Sequence, residues 1–368
     1  MRSHLACAAF RWGWRPSSAR HGGSGKARQD GPCYRGAPPK HLILSDPSLQ
    51  PPITVKLVSI PANPVPEGAT LAMIRTPDGV SLRTVRWPPP PGRKGTVCLF
   101  QGRTECIEKY FEMVRELRAR GFAVATLDWR GQGLSDHALR DRFKGHVENF
   151  AQYDIDLAAF MQEIVLPDCP PPHFALAHSA GATMLLRAAH RGKRWFDRIV
   201  LTSPMIQLAQ EPWMGLARPV ARTLHTLGFG ALYVPGGSPA IAALQPFPGN
   251  IVTSDPVRYT RSASVIEADR DLGLGSPTIA WADAALRAMA DLARPAYAAE
   301  IRQPILIIAA GRDQLTSTKV TEEFAIHLRA GSHLVIAGSE HEIMMEQDNY
   351  RLQFWAGFDA FVPGTPLY

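Results

Sequence analysis

Three side chains in this chain have the types and the order for covalent acyl transfer: Ser179 in AHSAG, Asp313 in GRDQL and His341 in GSEHE. A serine hydroxyl is a weak nucleophile at its free pKa, so it needs an adjacent base, a carboxylate that orients the base, and fixed donors for the oxyanion. Ser179 has Ala177 two residues before it and Gly181 two after, and it is the one serine in the chain with glycine at that offset. Small residues there suit a sharp strand-to-helix turn, where neighbouring backbones crowd. The competing role for such a serine is a helix N-cap. Its place between the short apolar run HFALAH and the Ala-, Leu- and Met-rich residues 180–190 favours the nucleophile.

Asp313 follows the apolar run PILIIAA, and His341 stands in a polar loop after HLVIAG. The order Ser, Asp, His at successive strand ends fits a carboxylate and a base for Ser179. Asp255, Asp269, Asp271, Asp283 and Asp291 also follow the serine but fall in 204–303, which has a different character. Among the other histidines, His190 and His327 fall on helices, His333 opens a strand, and His178 is expected to point away from its neighbour Ser179. The oxyanion donors expected are the backbone N–H of Ala180 and that of Arg103 in QGRTE, a segment that otherwise reads as an ordinary turn. This chemistry calls for no metal and no cofactor.

The elements that must hold these residues alternate. ATLAMIRTPDGVSLRTVRW reads as a hairpin about Pro77, Asp78 and Gly79. GTVCLF is a buried strand, followed by a helix with Ile107, Tyr110, Phe111, Val114 and Leu117 on one face and Gly121 at its end. FAVATLDW, HFALAHS, RIVLTSP, PILIIAA and HLVIAG are further strands, separated by helices near 150–164, 180–190 and 320–328, with a last helix near 350–361. Such alternation predicts an α/β fold, a mostly parallel central sheet with helices on both faces and its active site at the carboxyl ends of the strands. The predicted organisation is a basic extension over 1–52, a core over 53–203 and 304–368, and a lid over 204–303. That last stretch is too long for a connecting loop and needs structure of its own.

Composition sets bounds. At 368 residues and 45% hydrophobic, the chain can bury a large core. The net charge of +7 points to no nucleic-acid partner, because residues 1–52 hold eight basic and two acidic residues, leaving 32 basic against 31 acidic elsewhere. The leader is rich in Arg, Gly, Pro and Ser without lasting period and reads as an unstructured tail. It shows no convincing signal peptide, and no apolar run reaches the ~18 residues of a membrane span, so the expected location is cytoplasmic. Five cysteines without metal spacing fit a reducing compartment, Cys98 being a small core residue.

FQGRTECIEKYFEMVRELRARGFAVATLDWRGQGLSD, AHSAG and SEHEIMME together resemble the α/β-hydrolase fold, in its bacterial lysophospholipase (L2 type) and monoacylglycerol-lipase branch. The resemblance runs from about Thr70 to the C-terminus. It implies a triad of Ser179, Asp313 and His341, oxyanion amides on Arg103 and Ala180, and a structural role for Asp128, Arg130, Gly131 and Gly133. Two positions depart from the pattern. Ala177 stands where the family usually has Gly, and Gln101 replaces the His that often braces the oxyanion loop. The implied activity is cleavage of lipid-like carboxylic esters, with a small-molecule or lipid ester as substrate.

In the lid, Trp213, Met214, Leu216, Leu224, Leu227, Phe229, Leu232 and Tyr233 suit an acyl chain or peripheral membrane contact, and equally suit packing onto the core. Arg218 and Arg222 are candidates for a phosphate head group. An aminopeptidase of this fold would need a lid carboxylate such as Glu267, and a non-catalytic binding protein would be expected to lose a triad member. The oligomeric state is left open.

Overall fold

In the computed structural model, which describes residues 55–91, 94–209 and 214–362, the turn at 77–79 joins an antiparallel pair, β1 (Thr70–Arg75) and β2 (Ser81–Trp87). The expectation for residues 1–52 lies outside the described residues. The other apolar runs form β3 (Thr96–Phe100), β4 (Ala123–Leu127), β5 (His173–His178), β6 (Arg198–Thr202), β7 (Ile305–Ala310) and β8 (Gly331–Ile336). They make one eight-stranded sheet in the order β1-β2-β4-β3-β5-β6-β7-β8. β2 meets β4 antiparallel, and every pairing from β4 through β8 is parallel.

The helices are α1 (Phe111–Ala119), α2 (Ala151–Phe160), α3 (Leu166–Asp168), α4 (Ser179–His190), α5 (Met214–Leu224), α6 (Pro256–Ala268), α7 (Ile279–Leu292), α8 (Tyr297–Glu300), α9 (Thr318–Ile326) and α10 (Asp348–Phe361). Two cores flank the sheet, and the period-two alternation of each strand feeds both. Ala175, Ala177, Ile305 and Ile307 join α2, α4 and α9 on one face. Phe174, Leu176, Leu306 and Ile308 join α1 and α10 on the other. Covered on both sides, β7 is apolar and buried from end to end, and each of its isoleucines contributes roughly 1.5–3 kcal/mol by burial. Cys98 is a buried, unpaired core residue of β3.

Register positions the site. Phe100 at the end of β3 lies opposite Ala177 near the end of β5, so the loop that begins at Gln101 runs beside Ser179. Ala310 lies opposite Ile336, so the loops carrying Asp313 and His341 leave the sheet side by side. Between β6 and β7 the chain forms α5 to α8 with turns between them. α7 seats this segment on the core: Trp281 packs its ring on Phe150 at 5.7 Å between centroids, and its indole N–H donates to Tyr153 Oη at 3.1 Å.

Candidate active site

Ser179 opens α4 with φ +50°, directly after the extended His178. It is not a capping serine: His178 holds the cap position, and the serine is turned out of the strand-to-helix corner. An added Cβ on Gly181 would meet Gln101 O at 2.4 Å, which is why glycine stands two residues after the serine. Among the described residues, the non-glycine positions with positive φ are Thr104, Ser179 and Ser203, which follow β3, β5 and β6 respectively. Backbone strain of this kind persists where the surrounding structure fixes it, and here it collects at neighbouring strand ends.

The three residues singled out from the sequence meet. His341 Nε2 lies 3.0 Å from Ser179 Oγ, and His341 Nδ1 lies 2.7 Å from Asp313 Oδ2. The other Asp313 oxygen accepts the Leu315 and Thr316 N–H groups at 2.8 and 2.9 Å, and Thr316 Oγ1 donates to Oδ2 at 2.7 Å. Burial works against charge on Asp313, but His341 and the Thr316 hydrogen bonds hold its carboxyl at about 2. Burial also works against a charged His341, yet the Asp313 charge and hydrogen bond prevail and raise its pKa above the ordinary 6.5. The pair therefore favours Nδ1–H toward the carboxylate, leaving Nε2 to accept from the serine.

The loop after β3 is held from several sides. Trp129 Nε1 donates to Gln101 O at 3.1 Å, Gln132 Oε1 accepts Thr104 N–H at 2.7 Å, and Glu105 Oε2 accepts Gly102 N–H at 2.5 Å. Gln101 itself donates to Thr126 Oγ1 at 3.1 Å. The Arg103 side chain turns away from the serine: its Nη2 donates to Gly275 O at 2.5 Å and its guanidinium lies 5.2 Å from the Trp281 ring centroid. The loop is thus tied to the segment between β6 and β7, and burial lowers the Arg103 pKa to about 10.

The DWRGQG segment buttresses this loop. Asp128 accepts from Ile107 N–H, Leu134 N–H and Arg83 Nε, while Arg130 bridges Asp156 and Asp78. Gly133 has φ +52°, and a Cβ there would lie 2.1 Å from Asp128 Oδ2.

Three further residues lie at the site and were not expected there. His178 lies beside the base: its ring centroid is 4.8 Å from that of His341, its Nδ1 is 3.2 Å from Thr202 Oγ1, and burial takes its pKa down to about 3, so it is neutral. Alternation along β5 fixes only its face, which residue 178 shares with Phe174 and Leu176. Ser203, just past β6, donates its hydroxyl to His341 O at 2.8 Å, and its strand-end position could have marked it. Lys109 pairs with Glu105 at 2.8 Å, an i,i+4 contact visible in TECIEKY.

A cavity of about 520 Å³ opens onto Ser179 and His341. Its far wall comes from residues 242–262, including Ile251, Val252 and Tyr259, with Leu315 and Met345 nearer the triad. The stretch 214–233, expected to suit an acyl chain, contributes nothing to this wall. Instead Leu216, Leu227, Phe229 and Leu232 are exposed, Leu224 is half-buried, and Tyr233 donates to Asp141 at 2.8 Å. Trp213 and the side chain of Met214 lie outside the described residues. Arg218 and Arg222 face solvent, Arg222 near Asp283, and neither lines this cavity.

Residues 91–348 match the family described as serine aminopeptidase, S33. The chain is similar to lysophospholipase L2 of Escherichia coli (strain K12), at 31% identity over 271 residues, covering 69% of this chain and 76% of that one. It is also similar to the probable lysophospholipase L2 of Haemophilus influenzae, at 27% identity over 69% of this chain and 79% of the other. Among solved structures it resembles a soluble variant of monoglyceride lipase from Saccharomyces cerevisiae, with TM-score 0.64 at 18% identity over 80% of this chain and 96% of that one. A thermostable carboxyl esterase from Bacillus coagulans gives TM-score 0.62 at 17% identity, over 81% and 99%. The chain belongs to the serine aminopeptidase (S33) family of the α/β-hydrolase fold and, within it, to the ester hydrolases of the lysophospholipase L2 type.

Proposed function

We propose that the chain hydrolyses lipid-like carboxylic esters, lysophospholipids or monoacylglycerols, through an acyl-enzyme on Ser179. The observation that carries this reading is the hydrogen-bonded chain from Ser179 through His341 to Asp313, set on the wall of a cavity of about 520 Å³. Ser179 Oγ attacks the ester carbonyl carbon while His341 Nε2 takes its proton, and Asp313 holds the imidazole in the tautomer that can do so. The oxyanion accepts from the N–H groups of Ala180 and Arg103. As the ester C–O bond breaks, His341 returns its proton to the leaving alcohol. Water then gives a proton to His341 and attacks the acyl carbonyl, and as the bond to Ser179 Oγ breaks His341 returns that proton to Oγ, releasing the acid.

The names of the relatives support the substrate class, and the mixed cavity wall, Ile251 and Val252 beside Tyr259 and Ser262, suits an acyl glycerol ester. We read 204–303 as a lid over a core of 53–203 and 304–368, its outer face a peripheral membrane contact. Leu216 and Val220, one turn apart on α5, and Leu227 just beyond its end are exposed, as are Arg218 and Arg222. No helix among the described residues is long and apolar enough to cross a membrane. An aminopeptidase needs a carboxylate for the substrate amine; Glu267 is exposed and outside the cavity wall, and Glu342 within it is paired with Lys109.

The test is hydrolysis by the protein and its Ser179→Ala variant of 1-acyl lysophospholipids, monoacylglycerols, p-nitrophenyl esters and amino-acid p-nitroanilides. Lipid-ester cleavage that disappears in the variant is expected. Anilide cleavage in its place would favour the peptidase, and silence across the panel a binding protein.

A further inference from the structure

The loop after β3 and the loop carrying His341 come from strands that are not neighbours, yet one cation joins them. Lys109 Nζ lies 2.8 Å from Glu105 Oε1 and 2.6 Å from Glu342 Oε1, and its side chain is 13% exposed. Each carboxylate is fixed in turn to its own loop. Glu105 Oε2 accepts the N–H of Gly102, the residue before Arg103, and the hydroxyl of Tyr110 at 2.7 Å. Glu342 follows His341 directly, and its N–H donates to Val252 O at 2.7 Å, which carries the connection into the cavity wall.

We propose that Lys109 is a positioning residue that clamps the oxyanion loop to the histidine loop through Glu105 and Glu342. The inference rests on the reading of Ser179, His341 and the Arg103 N–H as the reacting groups. Without the cation, two carboxylates in a largely buried space repel, and each loop loses the partner that fixes its distance from the serine. Burial opposes charge on Glu105, but the Lys109 ammonium and the hydrogen bonds from Lys109 and Tyr110 hold its carboxyl below the ordinary carboxylate range. The groups around His341 are Asp313 from the β7 loop, His178 from β5, Glu105 and Lys109 from the segment after β3, and Glu342 beside it.

The test compares Lys109→Met, Lys109→Arg and Glu105→Gln with the parent and Ser179→Ala on a soluble p-nitrophenyl ester across pH. Lys109→Met is expected to lose roughly 10- to 100-fold in kcat with KM nearly unchanged, the scale of a small misplacement of reacting groups. Lys109→Arg, which keeps the charge, should recover most of that loss. Glu105→Gln should also lower kcat and move the acid limb of the profile to lower pH, because removing a nearby anion destabilises protonated His341. Misfolding reduces amplitude without moving that limb, so Glu105→Gln reads the clamp even if Lys109→Met folds poorly. Parent-level kcat in Lys109→Met, or an unmoved limb with full kcat in Glu105→Gln, overturns the clamp while an inactive Ser179→Ala leaves the nucleophile standing. An active Ser179→Ala overturns the underlying reading instead.

Discussion

At the ends of β5, β7 and β8, the side chains that face one another are set by strand register, whereas in the segment between β6 and β7 apolar side chains of α5 face outward. The first region has few ways to be wrong. Once Ala310 lies opposite Ile336, the Asp313 and His341 loops emerge together, and local hydrogen bonds from Leu315, Thr316 and Ser203 complete their placement. The second region has no sheet to aim its side chains. It is anchored to the core through α7, by Trp281 on Phe150 and Tyr153, and tied within itself by Asp283, whose carboxylate contacts Arg222, His225 and Arg287. Composition therefore predicts chemistry well at strand ends and predicts only polarity in the inserted segment.

The sharpest way to break this contrast is at Asp313. Asp313→Asn keeps the shape but offers an amide to His341 Nδ1, which favours the tautomer that cannot accept from Ser179. A loss of ~10,000-fold in kcat at neutral pH is expected from steady-state kinetics. A loss under tenfold would mean that register brings the pair together without function.

A smaller effect is expected at Gly181. The added Cβ of Gly181→Ala would meet Gln101 O at 2.4 Å, so the loop after β3, the proposed source of an oxyanion donor, must shift. A kcat loss of roughly 100-fold, the scale of one weakened oxyanion donor, should appear with the thermal midpoint lowered only modestly. Unchanged kcat would show that the loop tolerates displacement and that its donors are not set by this contact.

The inserted segment supplies the smallest effect on chemistry. Leu216→Ser with Leu227→Ser should leave hydrolysis of a soluble ester within about twofold, since both side chains are exposed and surface changes of this kind cost little. The same pair should reduce co-sedimentation with phospholipid vesicles. Unaltered sedimentation would remove α5 and the turn after it as the membrane-facing side.

Ser179, Asp313 and His341 were legible as a candidate set because each lies within a few residues of the end of a largely apolar run, and a buried parallel strand ends in a limited set of loops. The sheet was legible for the same reason, down to the turn at 77–79. Glu105, Lys109 and Ser203 were not, because their roles exist only after distant loops meet; nothing local in TECIEKY or LTSP names Glu342 or the His341 carbonyl as a partner. The approach of His178 to His341 was not legible either, because it too exists only once distant loops meet. The wall residues 242–262 were overlooked because that stretch is rich in Pro and Gly and carries no strong period.

The most direct measurement of the central claim is peptide-mapping mass spectrometry of the protein after reaction with an alkyl fluorophosphonate. The account predicts one covalent adduct, on Ser179, absent from Ser179→Ala and formed far more slowly in His341→Ala. An adduct on another residue, or continued ester hydrolysis with Ser179 unmodified, would contradict it.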